Sequence, residues 1–89
     1  MGGSGKSPVR LLLYTRGQCP LCEEAKAEVR TLFGTDLPIE EIDVDADPQL
    51  AEKYGEEVPV GFLGGEKAFK YRVDRRRLRR LYRQALRES

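Results

Sequence analysis

The chain has 89 residues, 35% of them charged, and a formal net charge of +1, a size and composition that fit one domain with a small core. Its two cysteines are too few for the disulfide framework of small secreted proteins, and no apolar stretch is long enough to span a membrane. We therefore expect a cytoplasmic protein. We expect residues 1–7, Met-Gly-Gly-Ser-Gly-Lys-Ser, to be a flexible leader or a remnant of cloning.

The first elements predict a strand that leads into a helix through a Cys-x-x-Cys motif. Val9 to Tyr14 is a short apolar run, and Pro20 stands where a proline commonly opens a helix. Cys19 should therefore lie near the helix cap and Cys22 about one turn inside. A Cys-x-x-Cys pair beside such a junction is a signature of thiol redox chemistry.

Cys19 is the expected reactive thiol, because a helix N-terminus offers free N–H groups and partial positive charge. Arg16 adds a full charge three residues earlier. Such surroundings typically lower a cysteine pKa from about 8.5 to roughly 3.5–7.5. Three other interpretations stay open. The pair could be a structural disulfide, worth only about 2 kcal/mol for so short a loop. It could be half of a zinc site completed by carboxylates or a second chain, or two inert buried cysteines.

The middle of the chain predicts one more strand and a short helix. The first helix should continue to Phe33 and end at Gly34. Leu37–Val44 then predicts a strand that bulges or lies at a sheet edge, since its apolar and acidic residues do not alternate cleanly. Asp47 is the expected cap of a helix that runs from Pro48 to Tyr54.

The last third predicts a hairpin and a closing helix. Strands over Val58–Leu63 and Glu66–Tyr71 should be joined by a tight turn at Gly64-Gly65. A helix capped by Asp74 should run to Arg87. Its apolar stripe comprises Leu78, Leu81, Tyr82, Ala85 and Leu86. The complete order of elements is β-α-β-α-β-β-α.

This order, with Cys19-Pro20-Leu21-Cys22 after a strand and Val58-Pro59 before a later one, resembles a glutaredoxin of the thioredoxin-like superfamily. The match spans Val9 to about Leu86. Within this superfamily, the chain most specifically resembles small glutaredoxin-like proteins. The segments that carry this resemblance are Tyr14-Thr15-Arg16, Asp43-Val44-Asp45, Tyr54-Gly55 and Val58-Pro59-Val60. The resemblance implies a three-layer α/β/α thioredoxin-like fold with a four-stranded mixed sheet ordered 2-1-3-4. We accordingly expect residues 8–89 to form a single glutaredoxin-like domain.

The resemblance also assigns roles to particular residues. Cys19 would be the nucleophile and Cys22 the resolving thiol. Pro59 would follow a cis peptide bond and pack against the cysteine pair. The Val58 backbone would bind an extended peptide or glutathione as an added strand.

Two further positions of the resemblance concern glutathione. Arg16 stands where glutaredoxins carry a basic residue that meets a glutathione carboxylate, and Asp74 keeps an acid that is also expected to bind substrate. The Gly-Gly pair that usually precedes this acid is replaced by Tyr71-Arg72-Val73.

We therefore predict a thiol–disulfide oxidoreductase that reduces protein disulfides or glutathione mixed disulfides, with no bound cofactor or metal and with glutathione as a possible co-substrate. The alternative is a non-catalytic module that acts through its basic last helix or holds an iron–sulfur cluster across a dimer.

Charge is unevenly distributed along the chain. Residues 23–57 hold twelve acidic and three basic side chains, whereas residues 66–89 hold three acidic and ten basic ones. Because the net charge is only +1, we expect the arginines to form a solvated face. We accordingly expect a monomer that acts on a disulfide-containing protein or glutathione and binds neither membranes nor nucleic acid.

Overall fold

The computed structural model describes residues 9–88, so the proposed leader at residues 1–7 lies outside the described residues. The predicted order of elements is confirmed, with one additional 3-10 turn at Val44–Ala46. No helix of the described range is long and apolar enough to cross a membrane. The elements are β1 (Leu11–Thr15), α1 (Pro20–Phe33), β2 (Ile39–Asp43), α2 (Pro48–Tyr54), β3 (Val60–Leu63), β4 (Glu66–Lys70) and α3 (Arg75–Glu88).

The four strands form one mixed sheet in the order β2-β1-β3-β4, as expected. β1 pairs in parallel with β2 and antiparallel with β3, and β3 and β4 form an antiparallel hairpin. β2 lies at an edge, where its carboxylates remain solvated. The irregularity in the sheet is instead in the pairing of β3 with β4, whose register shifts between Gly61 and Phe62. The turn at Gly64-Gly65 needs glycine twice, because both residues have positive φ angles, of 61° and 84°.

Helices cover both faces of the sheet, which confirms the three-layer architecture. Leu11 and Leu13 of β1 face α1 and α3, while Tyr14 points to the opposite face. There Tyr14 stacks on Tyr54 of α2 with ring centroids 4.5 Å apart. The main core lies on the first face and comprises Val9, Leu11, Leu13, Ala25, Val29, Leu37, Leu63, Ala68, Phe69, Leu78 and Leu81.

Several element ends differ from the sequence predictions, and one residue of a predicted apolar stripe is exposed. β2 ends at Asp43, because the Asp43 carboxylate accepts the Asp45 N–H and turns the chain into the 3-10 segment. β3 begins only at Val60, because the preceding proline has no N–H for the ladder. Leu86 was assigned to the apolar stripe of α3, but it is 41% exposed. Leu86 is rotated by about 100° around the helix axis from Ala85 and therefore lies outside the arc that the other stripe residues occupy.

Candidate active site

Cys19 is the N-cap residue of α1, as the sequence predicted, and Pro20 occupies its first turn. A disulfide joins Cys19 to Cys22, whose Cα atoms are 5.2 Å apart. The Sγ atom of Cys19 also accepts a hydrogen bond from the backbone N–H of Cys22 at 3.1 Å. This sulfur therefore lies where helix N–H groups favour negative charge, an arrangement that also suits a thiolate once the disulfide is reduced.

The two cysteine residues differ in their exposure to solvent. Cys22 is only 1% exposed, whereas Cys19 is half-buried between exposed neighbours, Gln18 and Pro20. Gln18 turns the chain into this position through a positive φ of 55°, which is uncommon for a residue other than glycine. A molecule arriving from solvent therefore meets Cys19 first.

Arg16 anchors the cysteine turn to two other segments at the same end of the sheet, which follow β2 and precede β3. Its Nε and Nη2 atoms donate to the Asp45 carboxylate at 3.0 and 2.9 Å, and its Nη1 donates to the Gly55 carbonyl at 3.0 Å. The hydrogen bond and charge of Asp45 raise the pKa of Arg16, and Arg16 in turn lowers the pKa of Asp45. The positive charge that was expected to favour the thiolate is thus compensated by a carboxylate.

The contacts of Arg16 also explain why residue 55 is a glycine. Any side chain at Gly55 would overlap the Ala51 carbonyl oxygen and lie 2.9 Å from Arg16 Nη2. Three segments that were singled out in the sequence, each contributing one of Arg16, Asp45 and Gly55, are therefore brought together by a single guanidinium.

The peptide bond between Val58 and Pro59 is cis, as the resemblance implied. Pro59 is fully buried, while Val58 is half-buried and lies just before the β3–β4 ladder. The Pro59 carbonyl accepts the Tyr71 N–H at 2.9 Å. Tyr71 has a φ of 69°, so it and Gln18 are the two positive-φ residues other than glycine within residues 9–88. Both lie next to parts of the candidate site.

A cleft of about 240 Å³ lies beside these parts. One wall is α1, beginning two residues after Cys19, and the other is the segment between β4 and α3. Two of its glutamates form ion pairs, Glu24 with Arg72 at 3.8 Å and Glu28 with Arg75. The lining residues are Leu21, Glu24, Ala25, Glu28, Tyr71, Arg72 and Val73.

Asp74 lies outside this cleft. Its carboxylate accepts the Arg77 N–H at 3.1 Å and its carbonyl accepts the Leu78 N–H at 2.9 Å, which confirms it as the cap of α3. It lines a separate groove together with arginines of that helix. Tyr71 thus contacts Pro59 through its N–H and lines the cleft beside the cysteine helix, whereas Asp74 belongs to neither contact.

Comparisons with known proteins agree with this geometry. The family model of the glutaredoxin-like domain (DUF836) matches residues 10–82. The chain belongs to this family. It is 34% identical over 77 residues to the "Glutaredoxin-like protein YDR286C homolog" of Dictyostelium discoideum, an alignment that covers 79% of this chain and 71% of that protein.

Solved structures show the same thioredoxin-like fold. The solution NMR structure of protein Ne2328 from Nitrosomonas europaea aligns with a TM-score of 0.74 and 30% identity, covering 83% of this chain and 91% of that one. The structure of a malarial protein aligns with a TM-score of 0.55 at 18% identity and covers 88% and 97% of the two chains. At that identity the second similarity supports the fold alone.

The glutaredoxin-like domain also contains a polar cluster that sequence reasoning missed. Thr15, only 3% exposed, donates its hydroxyl to Glu41 at 2.9 Å, and Lys26 Nζ lies 3.2 Å from the same carboxylate. Lys26 also pairs with Glu23 at 2.9 Å. Partial burial opposes ionisation of Glu41, but the hydrogen bonds from Thr15 and Lys26 outweigh it, so the pKa of Glu41 is lowered.

This cluster lies one helical turn from Cys22, because Lys26 follows Cys22 by four residues and shares its side of α1. The hydrogen bond to Glu23 is the largest cause of a raised pKa at Lys26, so its ammonium remains charged. The four-residue spacing was visible in the sequence. The contact with Glu41 was not, since it depends on how β2 pairs with β1.

Proposed function

We propose that this glutaredoxin-like chain is a thiol–disulfide oxidoreductase that reduces protein disulfides or glutathione mixed disulfides. The observation that carries the proposal is the asymmetric pair at the start of α1. Residue Cys19 is half-buried and its sulfur accepts a helix N–H, while Cys22 is buried and bonded to it. Within residues 9–88 no third metal-ligating side chain joins the pair, so this chain alone does not complete a four-ligand zinc site.

The chemistry begins with the reduced dithiol. The Cys19 thiolate attacks one sulfur of the substrate disulfide, forming a mixed disulfide as the substrate's other sulfur leaves as a thiolate and takes up a proton. Cys22 then loses its proton and attacks Cys19 Sγ, which releases the second substrate thiol and leaves the Cys19–Cys22 disulfide. Two electrons have passed from the protein dithiol to the substrate. A cytoplasmic thiol, with glutathione as the expected co-substrate, returns them.

Substrate binding is proposed to use the strand that begins at Pro59. Val58 lies outside the β3–β4 ladder, which supports the proposal that its backbone pairs with an extended peptide or with glutathione. The cleft beside Leu21 would accept the substrate's neighbouring residue. Arg16 supports the site by holding the cysteine turn, since Asp45 and Gly55 engage all three of its guanidinium nitrogens.

Turnover of a glutathione mixed disulfide tests the proposal. The assay follows NADPH consumption with glutathione and glutathione reductase, and in parallel with thioredoxin reductase in their place. We expect turnover with at least one donor system and none with Cys19→Ser. Cys22→Ser is the matched control, because it removes the other sulfur and leaves the attacking one. Turnover by Cys19→Ser at the wild-type rate, or a pair that dithiothreitol cannot reduce in the folded protein, would refute the proposal.

A further inference from the structure

The outer face of α3 carries a continuous line of arginines. At about 100° per residue, five of them fall within an arc of roughly 100° that lies opposite the buried Leu78 and Leu81. All five are exposed. We call this surface the arginine ridge, and it comprises Arg76, Arg79, Arg80, Arg83 and Arg87.

The ridge arginines differ from their neighbours in having no acidic partner. Arg72, Arg75 and Arg77 at the helix start each form an ion pair with a glutamate. By contrast, no ridge guanidinium forms an ion pair with any carboxylate of residues 9–88. Asp74 lines the groove at one end of the ridge, but its carboxylate caps the helix. Five positive charges therefore remain uncompensated on one side of a chain whose net charge is only +1.

The spacing of these charges matches a phosphate backbone. From Arg76 to Arg87 the helix rises about 16.5 Å, which gives one charge per roughly 4 Å. Along the axis of a DNA duplex, each strand presents one phosphate per about 3.4 Å. All seven basic residues of α3 are arginine and none is lysine, and the guanidinium fork suits two-pronged binding of phosphate oxygens.

A membrane surface fits less well, because helices that lie on membranes insert an exposed apolar face. The apolar face of α3 is already packed in the core through Leu78 and Leu81. The expectation from sequence that nucleic acid is not a partner rested on the small net charge. The net charge does not show that acidic and basic residues are separated along the chain, since the acidic residues are concentrated in residues 23–57.

We propose that the arginine ridge binds the phosphate backbone of one nucleic-acid strand without reading its sequence. The ridge would follow one strand along the helix axis, with each guanidinium directed at a phosphate. This surface is independent of the disulfide chemistry at Cys19, so binding should be the same for the reduced and oxidised protein.

Fluorescence anisotropy with labelled RNA and DNA strands of about 20 nucleotides and mixed sequence tests the proposal. Neutralising five phosphates gives a slope of log affinity against log salt of about −3.5, or roughly a hundredfold loss between 50 and 200 mM salt. The variant R76Q/R79Q/R83Q should reduce the slope to about −1.4 and weaken binding at least tenfold at the lower salt concentration.

Two further variants make the result specific. R10Q/R30Q/K53Q removes three positive charges as well, but from exposed positions outside the ridge. Its affinity should stay within threefold of the wild-type affinity. R76K/R79K/R83K keeps the ridge charges, so it should keep the slope while weakening binding severalfold, and it is the test variant if the glutamine form does not fold.

Three outcomes would overturn the proposal. The first is a wild-type dissociation constant above about 100 μM at 50 mM salt. The second is an equal loss of affinity in R10Q/R30Q/K53Q, which would show an effect of net charge alone. The third is equally tight binding to polyglutamate or to anionic phospholipid vesicles, which would indicate a general polyanion surface. None of these results depends on whether Cys19 turns over a disulfide.

Discussion

Replacing Gly61 with alanine should destabilise the hairpin that leads away from Pro59. Gly61 of β3 is paired with Phe69 of β4. A Cβ atom at Gly61 would lie 2.5 and 2.6 Å from Cε2 and Cζ of the Phe69 ring, whereas ordinary contacts are 3.4–4 Å. The ring must therefore move by about 1 Å, and Phe69 is only 5% exposed in the core. Close packing leaves it little room to do so.

The expected cost is that of an overpacked core, about 1–3 kcal/mol. For a domain of this size each kcal/mol lowers Tm by roughly 4–8 °C, so a fall on the order of 10 °C is expected. Gly17→Ala is the matched control, because no atom lies within 4 Å of a Cβ at Gly17. We expect its Tm to be unchanged or slightly raised.

Urea unfolding followed by circular dichroism measures these changes at fixed redox state. A second change, Phe69→Leu, should relieve the overlap, giving a coupling free energy of at least about 1 kcal/mol in a double-mutant cycle. The packing argument fails if Gly61→Ala lowers the free energy of unfolding no more than Gly17→Ala does. It also fails if Phe69→Leu is equally costly in both backgrounds.

Two further predictions concern charge. The variant R76E/R79E/R83E reverses three exposed charges of α3, and its rate of exchange with a small neutral disulfide should stay within twofold of the wild-type rate. The reason is that solvent and salt screen these charges over about 8–10 Å. A tenfold lower rate in stopped-flow measurements on the folded variant would contradict this prediction. Glu41 has a pKa lowered from the usual 4.5, so its contribution to stability is complete above that value and is lost as pH falls through the lower, folded-state pKa. Urea unfolding at pH 6, 4 and 3 should therefore show a greater acid-induced loss of stability for wild type than for Glu41→Gln, and equal losses would refute it.

The parts of the fold that sequence predicted well depend on local chemistry. Cys19 as helix cap, Pro20 in the first turn and Gly34 at the end of α1 follow from which residues satisfy or omit backbone N–H groups at helix ends. The same holds for Asp47, whose carboxylate accepts the Gln49 N–H at 2.9 Å. The prediction of the hairpin turn at Gly64 also rested on local chemistry, since the positive φ angles of the turn favour glycine.

The parts that sequence missed depend on contacts between distant segments. Arg16 was expected to add positive charge near Cys19, and its partners Asp45 and Gly55, which are 29 and 39 residues away in sequence, were not predicted. The contact of Thr15 with Glu41 likewise spans 26 residues and exists only because β2 lies beside β1. Periodicity and capping rules describe one element at a time, so they could predict the charges but not which ones pair.

The central claim is that Cys19 attacks and Cys22 resolves, and trapping of the mixed disulfide tests it most directly. Each single variant, Cys19→Ser and Cys22→Ser, is reduced, freed of reductant and incubated with oxidised glutathione or a disulfide peptide. Intact-protein mass spectrometry then follows the adduct over time. Cys22 is 1% exposed, whereas Cys19 is half-buried and lies at the helix N-cap.

The account predicts that Cys22→Ser accumulates a stable adduct on Cys19, because the thiol that would resolve it is gone. Cys19→Ser should remain unmodified over the same period, since a buried thiol one turn inside α1 does not reach the substrate. Unfolding Cys19→Ser in urea should restore modification, which shows that its thiol is intact. If folded Cys19→Ser accumulates the adduct as fast as Cys22→Ser, the assignment of the two cysteines is wrong.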